Sequence, residues 1–502
     1  MNGIDDLEPS GCFLARMRSG GYHGRPMTFW KAIKGLFRWR LRIRWALAFW
    51  AGSVLAADPG GARAASANPV SKPNIIFILA DDLGYGDLGC YGQQKIKTPN
   101  LDRLAAEGIR FTSCYAGSTV CAPSRACLMT GLHTGHVRIR GNAQVPLAAG
   151  DLTVAEVLKG ADYRTAAIGK WGLGLADTTG APNKKGFDEW FGYLDQVHAH
   201  DYYTDYLWRN NFRLELAENR NNRKGQYTHD FFTRAALNFI TANTNHLFFL
   251  YLAYTIPHAN NERKDQGMEV PSDAPYTNES WPQPEKNKAA MITRLDADVG
   301  KLLARLRELK MESNTVVFFS SDNGPHQEGG VKPEFFRSAG SWRGIKRDLY
   351  EGGIRVPMLA WWPGRIQGGR TSDQVWTFWD FLPTAADLAG APVTAKIDGI
   401  SMQPALLGKP QKSHEFLYWE FHEDGSKQAV RMGDWKAVRL APGKPLELYN
   451  LKSDLSETND VAGQNPATVN RIEDYLKTAR TESETWPLKP PQAATKSSDN
   501  RP

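Results

Sequence analysis

The string Cys121-Ala-Pro-Ser-Arg-Ala-Cys-Leu-Met-Thr-Gly131 sets a thiol before Pro123 and a cation, Arg125, four residues further on. A helix starting near Pro123 would put the Cys121 side chain at its N-terminus, where the dipole and Arg125 favour an anion. A lone Cys near a helix start is as often structural as reactive, so this string alone leaves both readings open. Four other groups of chemically capable residues stand apart in the chain. They are Asp81-Asp82, Lys170, His258 and Asp322-Asn323. Each of the two pairs, Asp81-Asp82 and Asp322-Asn323, by itself reads as a turn or cap.

These groups share a position relative to the elements that must carry them. Asn74 to Ala80 is an unbroken apolar run, the mark of a strand buried on both faces, and it stops at Asp81. A strand over Arg164–Ile168 leads into Gly169-Lys170. Leu247–Tyr254 precedes His258, and Thr315–Phe319 precedes Asp322. Helices fall between them. One opens at Thr98-Pro99 and stops at Gly108, and others cover Leu152–Lys159, Phe231–Ile240 and Ala289–Leu309. Alternating strands and helices predict an α/β fold with a mostly parallel sheet flanked by helices, and ligands bind beyond the carboxyl ends of such strands. After Gly390 the texture changes to short strands (416–421, 428–432, 435–440, 446–451) and a last helix near Asn465–Arg480. This predicts a smaller C-terminal antiparallel sheet plus helix.

Cys-x-Pro-Ser-Arg followed by Thr-Gly resembles the signature of the type I sulfatases. Asp81-Asp82, Gly169-Lys170-Trp171, His258 after Ile-Pro, Asp322-Asn323-Gly324 and Lys346 before Tyr-Glu-Gly-Gly resemble sulfatase blocks in the sulfatase order. The likeness runs from about Asn74 to Arg480. It implies an alkaline-phosphatase-like fold and a sulfuric ester hydrolase acting on an aryl or carbohydrate sulfate. It also implies conversion of Cys121 to Cα-formylglycine by a formylglycine-generating enzyme. One calcium ion is then expected on Asp81, Asp82, Asp322, Asn323 and the modified Cys121. Hard oxygen ligands suit calcium, or less well magnesium, and no thiophilic metal. Arg125, Lys170 and Lys346 become the fixed cations that a reacting sulfate needs. His258 or Lys346 becomes the donor to the leaving oxygen. In the implied mechanism one hydroxyl of the hydrated aldehyde attacks sulfur, and the second lets sulfate leave by elimination.

One block departs from the pattern. Many sulfatases read Gly-Lys-Trp-His-Leu-Gly, where this chain has Gly172 in place of the His. The segment Gln196-Val-His198-Ala-His200-Asp201 is expected to supply the missing imidazole through His198 or His200. His326, His133 and His136 rank below them, and Tyr202, Tyr203 and Trp208 are candidates for stacking on a sugar. The loops 183–216 and 259–287 are expected to set the substrate, a sulfated small molecule or glycan. Two other functions fit the motif set less well. They are phosphonate monoester or phosphodiester hydrolysis in the same superfamily, and an inert binding protein disabled at Gly172.

The chain has 502 residues, 41% hydrophobic and 23% charged, a globular composition. Of the net charge of +7, residues 1–57 supply +6, which leaves the body near neutral and gives no reason to expect nucleic acid as a partner. Basic residues 38–44 followed by the apolar run 45–57 predict a signal peptide over 1–57, too short in its apolar part for a stable membrane span. A linker at 58–72, a catalytic domain at 73–390, a C-terminal subdomain at 391–489 and a disordered tail at 490–502 complete the expected organisation. Export to the periplasm or the exterior follows. Beyond the leader, Cys90, Cys114, Cys121 and Cys127 are too few for a disulfide scaffold and not spaced as a zinc site.

Overall fold

The computed structural model describes residues 72–491. The leader, the linker up to residue 71 and the tail from residue 492 lie outside the described residues. The main sheet is built from β1 (Asn74–Ala80), β2 (Ile109–Tyr115), β3 (Arg164–Lys170), β4 (Glu189–Tyr193), β5 (Tyr206–Arg209), β6 (Phe212–Glu215), β7 (Phe248–Ala253), β8 (Thr315–Ser321), β9 (Arg355–Trp361), β10 (Arg370–Ser372) and β11 (Trp376–Thr377). Its spatial order is β10-β2-β9-β8-β1-β7-β3-β4-β5-β6, with β11 also paired to β2. The central four strands, β8-β1-β7-β3, are mutually parallel, so their carboxyl ends lie side by side.

Alternation along β1 divides the core. Ile75, Phe77 and Leu79 pack with α2 (Cys121–Thr130), α3 (Val154–Lys159) and the helix Phe381–Ala389 on one face. Ile76, Ile78 and Ala80 pack with α1 (Pro99–Glu107), α4 (Thr228–Ala242) and α5 (Gln283–Glu308) on the other. Period-two side chains thus serve two helix layers, as a sheet covered on both faces requires.

Two features were not legible beforehand. β9 runs antiparallel to both β8 and β2 and contains Pro357, which argues against a central strand. The β2–β9 register shifts between Phe111 and Cys114, opposite Pro357, so the proline sits at a bulge where its missing N–H costs little. The helix expected near Pro123 begins instead at Cys121, and all ten of its residues are buried.

The small sheet, β12 (Leu417–Phe421), β13 (Lys427–Met432), β14 (Trp435–Arg439) and β15 (Glu447–Asn450), is antiparallel throughout, with the helix Pro466–Leu476 after it. Trp419 Nε1 donates to Ala116 O (2.9 Å) just beyond β2. Lys436 Nζ lies 3.1 Å from Glu351 and 3.2 Å from Glu457, all three fully buried. The small sheet is therefore tied to the main sheet by buried polar contacts.

Candidate active site at the carboxyl edge of the sheet

The topology delivers the reactive residues to one rim. Asp81 and Asp82 leave β1, Asp322 and Asn323 leave β8, Lys170 ends β3, and the turn after β7 brings in His258. β9 runs the opposite way, so the segment before it, with Lys346 and Glu351, arrives at the same rim. β2 runs parallel to β8 and hands the chain to α2, placing Cys121 there as the first helical residue. Gly169 is required for this convergence. Its φ is +107°, and a Cβ would lie 1.9 Å from Ala253 O of the neighbouring strand.

Reactive atoms of Asp81, Asp82, Cys121 and His258 all lie within 4.8 Å of one another. The Cys121 thiol donates to Asp81 Oδ1 at 3.2 Å, and Lys170 Nζ donates to Asp81 Oδ2 at 2.6 Å. Lys346 Nζ donates to Asp82 Oδ2 at 2.7 Å and stands 3.1 Å from His258 Nε2. Asn323 Nδ2 donates to Asp82 Oδ1 at 2.6 Å, whereas Asn323 Oδ1 is buried with no partner. Asp82 adopts φ +64°, which lets its N–H donate to Asp322 Oδ1 at 3.1 Å.

Arg125 is fully buried, with Nη2 3.6 Å from Asp81 Oδ2. Its Nε and Nη2 donate to Asp322 Oδ2 (3.1 and 2.7 Å), and its Nη1 donates to Lys170 O (3.0 Å). It braces an acid and a strand end from behind. Three further residues position the site, Ser124 from the motif, Tyr202 in place of its expected stacking role, and Asn142, which carried no signal in the sequence. Ser124 Oγ donates to Asp322 O at 2.5 Å. Asn142 Oδ1 accepts the N–H of Ala122 at 3.0 Å. Tyr202 OH donates to Thr255 O (2.9 Å) and to His258 O, clamping the histidine turn from a fully buried position. Tyr202 therefore buttresses His258 and is not available to stack on a sugar.

Electrostatics sets protonation states. Burial pushes the Asp81 carboxyl up, but Lys170, His258, Arg125 and Lys346 outweigh it and hold Asp81 well below the usual range. Asp82 is held down in the same way, chiefly by Lys346 against its burial. Asp322 is pushed up to about 7 by burial and the charge of Asp81, against the pull of Arg125. Burial and then Lys346 hold His258 well below the usual imidazole value. Its Nδ1–H donates to Ala259 O (2.6 Å), so Nε2 presents its lone pair to the Lys346 ammonium. Burial works to deprotonate Lys346, but Asp82 outweighs it and keeps Lys346 charged. The Cys121 thiol is pushed well up by burial and by Asp81. The anion expected at the helix start is therefore not favoured at that sulfur, because burial disfavours it and Asp81 is the strongest charge acting on it, ahead of Lys170 and Lys346.

The histidine alternatives separate. His200 lies flat on His258, with ring centroids 4.6 Å apart at 14°, and its Nδ1 is 3.3 Å from both oxygens of Glu262. His198 points away, with Nε2 2.8 Å from Thr204 Oγ1 and its ring stacked on Tyr206 at 4.4 Å. His326 Nε2 bonds Pro257 O (3.1 Å), and His136 bonds Asp398 (2.9 Å). At Gly172 (φ +75°) a Cβ would lie 1.8 Å from Gln196 Nε2, so the glutamine occupies the place where a side chain would begin.

The donor set suits a hard divalent cation. Asp81, Asp82 and Asp322 offer carboxylate oxygens at two adjacent strand ends and Asn323 an amide oxygen, and that orphaned Oδ1 lacks the partner such an ion supplies. The residues fit.

Comparison with known proteins gives one answer. A family model described as Sulfatase matches residues 73–391, and a model described as N-sulphoglucosamine sulphohydrolase, C-terminal, matches residues 342–483. The N-acetylgalactosamine-6-sulfatase of Homo sapiens is 32% identical over 431 residues, 81% of this chain and 78% of the relative. The N-acetylgalactosamine-6-O-sulfatase of Bacteroides thetaiotaomicron is 28% identical over 492 residues, 82% and 93% of the two chains. The crystal structure of Ps i-CgsB in complex with k-i-k-neocarrahexaose has a TM-score of 0.72 at 32% identity, covering 84% of this chain and 95% of that one.

Proposed function

We propose, starting from the fact that this chain belongs to the sulfatase family and hydrolyses sulfuric esters, that Cys121 acts after conversion to formylglycine and that one calcium ion sits among Asp81, Asp82, Asp322 and Asn323. Magnesium is the poorer fit, since it demands a stricter octahedron. The observation that carries this reading is the Cys121 thiol itself. It heads a buried helix, bonds Asp81, and is held protonated by burial. A buried thiol that does not ionise is a poor nucleophile. A hydrated aldehyde at that position supplies a hydroxyl in its place and a route for sulfate to leave by elimination.

The chain's own groups do the remaining work. Lys170 and Lys346 carry fixed positive charge for the sulfate oxygens, at positions pinned by Asp81 and Asp82. Lys346 holds a proton and neutral His258 receives a hydrogen bond from it, so the pair delivers that proton to the leaving oxygen. His200, stacked on His258 and oriented by Glu262, takes the place of the imidazole absent at Gly172. Arg125 positions Asp322 and the end of β3.

A formylglycine-generating enzyme is the partner that conversion needs. The basic and apolar leader supports export to the periplasm or the exterior. Residues 73–390 form the catalytic unit and 391–489 a lobe attached to it. Expression of wild type and Cys121→Ala with the maturation enzyme tests the reading. Wild type is expected to show the thiol-to-aldehyde mass change and to cleave an aryl sulfate, and the variant to do neither. Full activity in Cys121→Ala, or an unmodified thiol in active protein, would overturn it.

A further inference from the structure

Arg347 follows the buried Lys346 directly, and its own side chain reaches solvent. Its backbone is left-handed (φ +77°), which costs a non-glycine residue about 1 kcal/mol. The conformation is held because its N–H donates to Thr119 O (3.2 Å), two residues before Cys121. The guanidinium turns outward and is 42% exposed. It meets Glu328 through Nη1 and Glu423 Oε2 through Nε at 3.1 Å. Glu423 comes from the turn between β12 and β13 of the small sheet and is 35% exposed. Its other oxygen accepts from Asn142 Nδ2 (3.3 Å), and Asn142 Oδ1 accepts the N–H of Ala122. A polar chain thus runs from the residue beside Cys121 to a half-exposed arginine–glutamate pair. Asp82 acts on the charge of Arg347 and Lys346 acts on that of Glu328, so the pair lies within Coulomb reach of the reactive groups.

Nothing in the sulfate chemistry uses this pair. A fixed guanidinium donates and a fixed carboxylate accepts, the complement of neighbouring hydroxyls on a sugar ring. Arg347, Glu328 and Glu423 together carry one net negative charge, so these three groups offer no surplus cation to a second sulfate or a carboxylate.

We propose that Arg347 and Glu423 form the subsite for the alcohol half of the substrate, and that the substrate class is a neutral sugar bearing a single sulfate. This rests on the sulfate hydrolysis assigned to Cys121 above. The mature full chain is assayed on a monosulfated neutral sugar, its disulfated analogue and an aryl sulfate without hydroxyls. The monosulfated sugar is expected to exceed the disulfated one in kcat/KM. Glu423→Gln and Arg347→Ala are expected to lower kcat/KM for the sugar roughly tenfold more than for the aryl sulfate, mainly through KM. Equal losses on both substrates, or a preference for the disulfated sugar, would overturn the assignment while leaving the hydrolase reading intact. Absence of any sulfate turnover by the matured wild type would overturn both.

Discussion

Asp81, Asp82 and Asp322 are each essentially removed from solvent, and ionised carboxylates in such a place are expensive unless compensated. Lys170, Lys346 and Arg125 compensate in part, yet Asp322 is still pushed up to about 7 and Asn323 Oδ1 is left without a partner. A bound divalent cation would answer both. Exhaustive chelation is therefore expected to lower Tm and turnover together, with calcium restoring both. Binding to the folded state alone stabilises by about 2.7 kcal/mol at a hundred times Kd. Asn323→Ala is expected to raise the calcium concentration for half-maximal thermal protection by roughly tenfold. A Tm indifferent to chelator and calcium would count against the ion. Asp81-Asp82 and Asp322-Asn323 were legible because each directly follows an apolar strand, and Cys121 through the motif around it, each string alone having left a structural reading open. The choice between His198 and His200 was not. The two lie in one 3-10 turn, where a step of two residues rotates a side chain by roughly two-thirds of a circle, and only the fold decides which direction meets His258.

Strands with unbroken apolar runs were read to within a residue or two, since burial on both faces leaves a one-dimensional signal. β9 was not, because Pro357 masks it and its place depends on a bulge in the partner strand. Its approach carries Glu351, which shares Lys436 with Glu457 beneath the small sheet. Glu457 is pushed up to about 7 by burial and by the charge of Glu351, against the pull of Lys436. Its ordinary value is 4.5. The folded state thus keeps a proton that the unfolded chain loses. The stability from this group is full below pH 4.5 and is lost as the pH rises to about 7. Glu457→Gln, which cannot ionise, is expected to gain stability relative to wild type between pH 5 and pH 8, by on the order of 3 kcal/mol. Urea unfolding at the two pH values measures it, and a gain that shrinks with rising pH would refute the assignment.

Across the whole molecule, the small sheet is bound to the larger one through buried charges. Arg140 Nη1 meets Glu420 at 2.9 Å and Lys436 meets Glu351 at 3.1 Å, each side chain at most 3% exposed. Stripping the partner from a buried charge costs about 3–5 kcal/mol. Two such losses are comparable to the stability of a whole domain. A chain cut after Gly390 is therefore expected to fail to fold into an active unit, by circular dichroism and by aryl sulfate turnover. A well-folded, active 73–390 fragment would show the lobes to be independent. Among the described residues no helix is long and apolar enough to cross a membrane. Short-range physics was enough to read from the chain its alternating elements, the buried strands and the oxygen, thiol and cation groups that follow them, because those signals depend on neighbours a few residues away. Only the tertiary structure decided that Arg125 braces Asp322, that His200 and not His198 stacks on His258, and that Glu423 pairs with Arg347 and Asn142. Each of these is set by residues 45 to 281 positions apart, whose meeting depends on strand order and on which face each element buries.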